Sequence, residues 1–291
     1  MRRVFIEDKH QKHFEENGYV LVDLYTPEQV EKINRIFHDN RLPEQDGLEV
    51  TIIGGSFETN KKIQEEICAI TREPLNKILF NYDIYYAGYV TKYPHKTNIS
   101  RLHQDPTFVH EEICKSLDVW SPMIPTDEKN GALHMIRNSN RFFPGYRGYT
   151  CKKYDYSDIR TEVQEKFGNI MKMQPGQAVM YDTATLHFSQ QNETDDIRAA
   201  CTCLVGPTEA EKIYFHHNKA RNTLDVYKTD DDFIISYYRK YLNKDDLDLP
   251  LVSRTPFEPA IKVSFNEFEE IYHRYNPKPK KSFFDFFRRN K

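Results

Sequence analysis

Residues 82–93 read YDIYYAGYVTKY. Tyr, Ile and Val pack well on a pleated surface, so the run is expected to form a strand. Outward from it, SLDVWSPMI (116–124), GALHMIR (131–137), QAVMYD (177–182) and RAACTCLVG (198–206) share this character. Glycines, prolines and polar turns separate them. Strands that follow one another without alternating helices exclude doubly wound and TIM-type architectures. They point to an antiparallel sandwich or barrel able to enclose a site.

Helical segments flank this stretch. A short helix is predicted over 10–18, ending near Gly18, and then YVLVDL (19–24) as a strand. Thr26 caps the next helix, Pro27 suits its first position, and Gln29 completes a capping box. Val30, Ile33, Ile36 and Phe37 mark its buried face. A further helix is predicted over about 60–80, with Ile63, Ile67, Ile70 and Leu79 inward. Residues 138–176 interrupt the strands with Phe142, Phe143, Tyr146, Tyr149, Tyr154 and Tyr156 and a helical stretch near 157–169. An insertion of that size is more often functional than not, and a lid over a substrate is expected. Beyond Pro207 the chain is expected to turn helical again, with FIISYYRKYL (233–242) and NEFEEIYHRY (266–275), the latter opened by Ser264 and Glu267. The expectation is one domain over 1–291, mainly β with helical flanks (α+β). Its core covers about 82–206, its insertion or lid about 138–176, and its C-terminal helical extension about 207–291.

Composition narrows the function classes. The formal net charge of −3 offers no global attraction for nucleic acid. The first residues lack the apolar core of a signal peptide, and no stretch reaches the length of a membrane span. Five cysteines form no CxxC pair, which reads as free thiols in a reducing cytoplasm. The aromatic share of 13% suits pockets lined by rings.

The chemistry-bearing residues are sparse. His103-Gln104-Asp105 places an imidazole and a carboxylate two residues apart, so on an extended chain both face one ion. His187 lies 82 residues after Asp105, and Arg198 eleven after His187. Two His and one carboxylate make the facial triad of non-haem Fe(II) oxygenases, which leaves three metal positions open. A bidentate 2-oxo acid and O₂ fill them. The far carboxylate of that acid calls for a fork-shaped permanent cation, which Arg supplies better than Lys.

On these residues, and on FEENGYVLVDLYTPEQVEKI, RLHQDPTF, DVWSPMIPTDEKNGALHMIRNSNR and MQPGQAVMYDTATLHFSQQNETDDIRAAC, the chain resembles the phytanoyl-CoA dioxygenase family of Fe(II)/2-oxoglutarate enzymes. The matching stretches cover roughly 14–206. The resemblance implies a double-stranded β-helix (cupin-like jelly roll), iron on His103, Asp105 and His187, and 2-oxoglutarate anchored by Arg198. It also implies Trp120 and Ser189 as co-substrate contacts, with Asn98 or Tyr85 as guesses for the contact upstream of the triad. Related halogenases replace the carboxylate with Ala or Gly. Asp105 is present here, so hydroxylation of a small-molecule metabolite with O₂, releasing succinate and CO₂, is the implied outcome. Desaturation, cyclisation or epimerisation from the same cofactors is the alternative within enzymes. A non-catalytic cupin-like binding module is the alternative outside them.

Other candidates carry blander expectations. His134 is expected to pack. His216 and His217 point to opposite faces of a strand, so they share no ion. Cys201 and Cys203 pack as small hydrophobes. Arg137, Arg141, Arg147, Lys152 and Lys153 make this region basic, which suits a substrate carrying carboxylate or phosphate and is equally explained by solvated charges. The tail 274–291, with seven basic residues and Phe283, Phe284, Phe286 and Phe287, is a candidate for weak membrane-surface or protein docking.

Overall fold

The computed structural model describes residues 2–43, 47–97 and 99–277. Asn98 and the tail from 278 onward, including its four phenylalanines, lie outside the described residues.

The chain opens with α1 (Asp8–Asn17), β1 (Tyr19–Asp23), α2 (Pro27–Asp39), β2 (Leu48–Val50), α3 (Thr51–Gly54) and α4 (Phe57–Ile78). The central strands follow as β3 (Tyr82–Lys92), β4 (Ser100–His103), β5 (Leu117–Pro122) and β6 (Leu133–Ile136). The insertion holds β7 (Tyr154–Asp155) and α5 (Arg160–Phe167). Then come β8 (Gly168–Ile170), β9 (Gln177–Asp182), β10 (His187–Ser189) and β11 (Arg198–Pro207). The last part is β12 (Ile213–Asn218), β13 (Thr223–Lys228), α6 (Phe233–Lys240), β14 (Leu251–Pro256), β15 (Ile261–Lys262) and α7 (Phe265–Tyr275).

Local chemistry accounts for the helix ends. α1 stops at Gly18, whose φ of +82° suits a residue without a Cβ. Both bonds of the Thr26/Gln29 capping box form at α2. Ser56 caps α4, which starts a few residues earlier than the apolar spacing alone indicated. Ser264 accepts from the Glu267 N–H at the start of α7.

Two antiparallel sheets make the body. The larger has the order β1-β9-β5-β11-β3-β2 and the smaller β4-β10-β6-β8. They face each other as a sandwich rather than as a closed barrel. On the outer face of the large sheet, Ala199, Cys201, Cys203 and Val205 of β11 join Ile33 and Phe37 of α2 and Ile63 and Ile67 of α4 in the main core. On the inner face, Trp120, Val179, Tyr181 and Ala200 meet Leu133 and Met135 of the small sheet. All five cysteines are free. No helix among the described residues is long and apolar enough to cross a membrane.

The segment after Pro207 departs from the helical expectation. It holds α6 and α7 but also a third sheet, β12-β13-β14. β12 and β13 mix apolar and polar residues without clean alternation, which hides them from hydrophobic patterning, and β14 is exposed along its length. A bidentate ion pair compensates: Arg254 Nε and Nη2 each donate to buried Asp225 at 2.7 Å, directly across the β13–β14 register.

The insertion packs against α7. Phe142, Phe143, Tyr156 and Phe167 surround Phe268, which is fully buried. Replacing Phe268 with Ala empties the centre of this aromatic layer. The expected loss is about 3 kcal/mol of unfolding free energy, read from the urea midpoint at unchanged slope.

Candidate active site

β4 and β10 pair antiparallel with His103 opposite His187. Their imidazoles lie side by side, ring centroids 4.2 Å apart. Asp105 follows two residues past His103, where the chain has left the strand. Its N–H donates to Thr183 O at 2.9 Å, and its carbonyl accepts from Arg147 Nε at 2.7 Å. Buried Arg147 is itself held by Glu111, with Nη1–Oε2 at 3.0 Å. Gln104 donates to Ala184 O at 2.6 Å and accepts from the Tyr156 hydroxyl at 3.2 Å. Every residue of the His-Gln-Asp bend is thereby tied down.

The tautomers follow from the bonds. His103 Nδ1 meets Arg101 O at 2.7 Å, and His187 Nδ1 meets Thr185 O at 2.9 Å. A carbonyl only accepts, so each Nδ1 carries the hydrogen and each Nε2 presents a lone pair. His103 Nε2 lies 3.7 Å from Asp105 Oδ1, and His187 Nε2 lies 3.7 Å from Asp105 Oδ2. All three side chains bring a ligand atom within 4.8 Å of one another. Asp105 Oδ2 is buried and has no hydrogen-bond partner. Burial, with nearby His187, pushes the His103 imidazole down to about 4, so it stays neutral. Two imidazole nitrogens and an unsatisfied carboxyl oxygen converging on one point fit a divalent ion that takes imidazole and carboxylate ligands.

A cavity of about 300 Å³ runs from these residues along the inner face of the large sheet. Arg198, Trp120 and Ser189 all line it. The Arg198 guanidinium lies 5.3 Å from the Trp120 ring centroid and donates from Nη1 to Val90 O at 3.2 Å. Its Nε has no partner. Burial lowers it to about 10, which leaves it charged at neutral pH. An ion pair with Asp195 does not form, because Asp195 bonds His95 at 2.8 Å.

Two charged residues on this wall escaped the sequence reading. Lys92 sits directly across from Arg198 in the β3–β11 register and is 2% exposed. Its Nζ donates to Ser189 O at 3.1 Å and to Gln190 O. Burial, then the charge of Arg198, lowers its amine to about 6. Asp118 lies two residues before Trp120, so both face inward, and its carboxylate accepts from Thr202 Oγ1 at 2.6 Å. Burial, then nearby Asp105, raises its carboxyl well above the usual range. The available signal was parity: each is a lone charge at an inward position of an otherwise apolar strand.

Other expectations resolve plainly. Tyr85 faces away and donates to Pro207 O at 2.8 Å, while its neighbour Tyr86 lines the cavity. His134 stacks on Phe188 at 4.6 Å. His216 donates from Nε2 to Asp245 O at 3.1 Å, whereas His217 stacks on Phe257 at 3.6 Å. Phe142 and Phe143 belong to the α7 layer, and Tyr149 is the insertion residue that reaches the main cavity. Arg147 pairs with Glu111 and Lys152 with Asp155, so the insertion offers less free positive charge than its composition implied.

Comparison with known proteins adds the family. The family described as Phytanoyl-CoA dioxygenase (PhyH) matches residues 14–200. No curated protein matches the sequence. Among solved structures, the non-heme alpha ketoglutarate dependent carbocyclase SnoK from nogalamycin biosynthesis is similar with a TM-score of 0.52 at 12% identity, over 71% of this chain and 86% of that one. HygX from Streptomyces hygroscopicus, with nickel and 2-oxoglutarate bound, is similar with a TM-score of 0.50 at 10% identity, over 70% and 88%. The epimerase SnoN, in complex with Fe3+, alpha ketoglutarate and nogalamycin RO, gives a TM-score of 0.50 at 13% identity, over 70% and 85%. These likenesses concern the fold.

Lys92 makes a stability prediction for the metal-free protein. Its ordinary value is 10.5, and its folded value is about 6. Between the two the unfolded chain binds a proton that the folded chain does not, so stability falls as pH drops through this window and levels below it. Lys92→Met removes that burden. Its urea midpoint should exceed the wild type's at pH 7, with the gap narrowing towards pH 10.

Proposed function

The chain belongs to the phytanoyl-CoA dioxygenase family, and from that premise we propose that it is an Fe(II)- and 2-oxoglutarate-dependent oxygenase that hydroxylates a small organic molecule. The whole chain acts as one catalytic domain in the cytoplasm. In this reading the facing sheets are the two halves of a double-stranded β-helix. The observation that carries it is the convergence of His103 Nε2, His187 Nε2 and the unpartnered Asp105 oxygen at the mouth of a cavity that also holds Arg198, whose Nε has no partner.

His103, Asp105 and His187 hold the iron. Arg198 binds the far carboxylate of 2-oxoglutarate as a fork, and Lys92 adds a second donor across the strand pair. Trp120 backs the guanidinium and fixes its plane. Ser189 shapes the wall next to His187. When bound, iron with 2-oxoglutarate and O₂ supplies the oxidising power, releasing succinate and CO₂. The protein holds both imidazoles by their Nδ1 hydrogens and sets where the substrate carbon lies. The same arrangement serves ring closure or epimerisation, the activities named for SnoK and SnoN. A product heavier by one oxygen identifies hydroxylation.

Anaerobic addition of Fe(II) and 2-oxoglutarate should produce the weak visible charge-transfer band of a chelated 2-oxo acid. Arg198→Ala should raise the 2-oxoglutarate concentration needed for that band by about tenfold to a hundredfold, the worth of a charge-assisted fork. A folded wild-type protein without the band refutes the assignment and restores the binding-module reading.

A further inference from the structure

The inner face of the large sheet carries basic groups at one end and a carboxyl group at the other. The strand registers give the layers in order. Lys92 lies opposite Arg198, then Val90 opposite Ala200, then Gly88 and Trp120 flank Thr202, then Tyr86 and Asp118 flank Leu204. Asp118 in turn lies opposite Tyr181. The cationic end is the 2-oxoglutarate end of the function proposed above, and that reading leaves the acidic end unused.

Two groups there are incomplete. The Asp118 carboxylate lines the cavity, accepts the Thr202 hydroxyl, and has no cationic partner among the described residues. A buried carboxyl in such surroundings is costly until a donor or cation completes it. Tyr86 is 7% exposed, lines the same cavity, and its hydroxyl has no hydrogen-bond partner. A Cβ on Gly88 would stand 2.1 Å from that hydroxyl, so the glycine makes the room it occupies. Rings of Phe108, Tyr149 and Tyr181 complete this part of the lining. Aromatic faces beside a carboxyl attract a cation more than a neutral or anionic group.

We propose that Asp118 and Tyr86, walled by Phe108, Tyr149 and Tyr181, form the substrate subsite and that it receives an ammonium group. The substrate is then a small molecule bearing a basic amine. Asp118 sets specificity by holding that amine, and the carbon skeleton extends from it towards His103, Asp105 and His187. The inference rests on the cationic end being the 2-oxoglutarate site.

The test uses the Fe(II)- and 2-oxoglutarate-loaded protein without oxygen, titrated by calorimetry with three probes of similar size: benzylamine, benzyl alcohol and phenylacetate. Benzylamine should bind best, and its binding should shift the visible band. Asp118→Asn should weaken benzylamine by about tenfold to a hundredfold while 2-oxoglutarate affinity stays unchanged. Tyr86→Phe should weaken it less. The inference is overturned if benzylamine binds no better than the other probes, or if Asp118→Asn leaves it unaffected. The wild-type ranking decides even where a variant misfolds. Failure of the cofactor reading is separate and visible first, as absent 2-oxoglutarate binding, and it removes the amine inference with it.

Discussion

β11 is buried over all ten of its residues, and side-chain alternation makes it serve two interiors at once. Ala199, Cys201, Cys203 and Val205 fill the core under α2 and α4, while Arg198, Ala200, Thr202 and Leu204 face the cavity. A register slip of one residue would drive the guanidinium into the apolar core and turn Cys201 towards the site. The small residues of the outer row let two helices lie close. The polar ends of the inner row define where charged ligands go. Stability and chemistry are therefore written on the same strand, one residue out of phase, and the pairings with β3 and β5 carry that phase to Lys92 and Asp118.

The small sheet sets the other half of the geometry. Pairing His103 with His187 brings the imidazoles together before any ligand arrives. Two backbone carbonyls choose their tautomers. Arg147 then reaches from the insertion to the Asp105 carbonyl, and Glu111 holds Arg147. The insertion is thus a brace for the carboxylate, and α7 in turn braces the insertion through Phe268. Three buried polar atoms without partners line the cavity: Asp105 Oδ2, Arg198 Nε and the Tyr86 hydroxyl. Each weakens the unliganded fold, and this rigid backing is what lets the fold tolerate them.

How much of this was legible follows from what each residue type must do. His103, Asp105, His187 and Arg198 stood out because ligand chemistry tolerates few substitutes and their spacing is set by two strand pairs. The central strands were legible because Tyr, Val and Ile announce a pleated surface. The β12-β13-β14 sheet was not, since its polar and apolar residues do not alternate and one of its ties, Asp225 to Arg254, is a cross-strand contact that no local pattern displays. Lys92 and Asp118 were hidden for a related reason. A single charge in an apolar strand looks like an edge or a turn until the register shows that its side chain faces inward. Tyr85 and Tyr86 are adjacent and alike, and only the inward or outward phase tells them apart.

That phase also bears on what the cavity can admit. A site with cations at both ends would favour a second acid beside 2-oxoglutarate, and the arginines and lysines of the insertion encourage that view when counted as composition. In the folded chain Arg147 and Lys152 are committed to Glu111 and Asp155. The end of the cavity away from Arg198 carries a carboxyl and rings instead. A guanidinium at one end and a carboxyl group at the other make the two ends chemically distinct on one sheet face, with His103, Asp105 and His187 lining the same cavity. A dianion placed at the acidic end would meet a carboxyl group and no cationic partner among the described residues, and an amine placed at the other end would meet the charged Arg198. In the function proposed above, the sheet register would order the two ligands along this face.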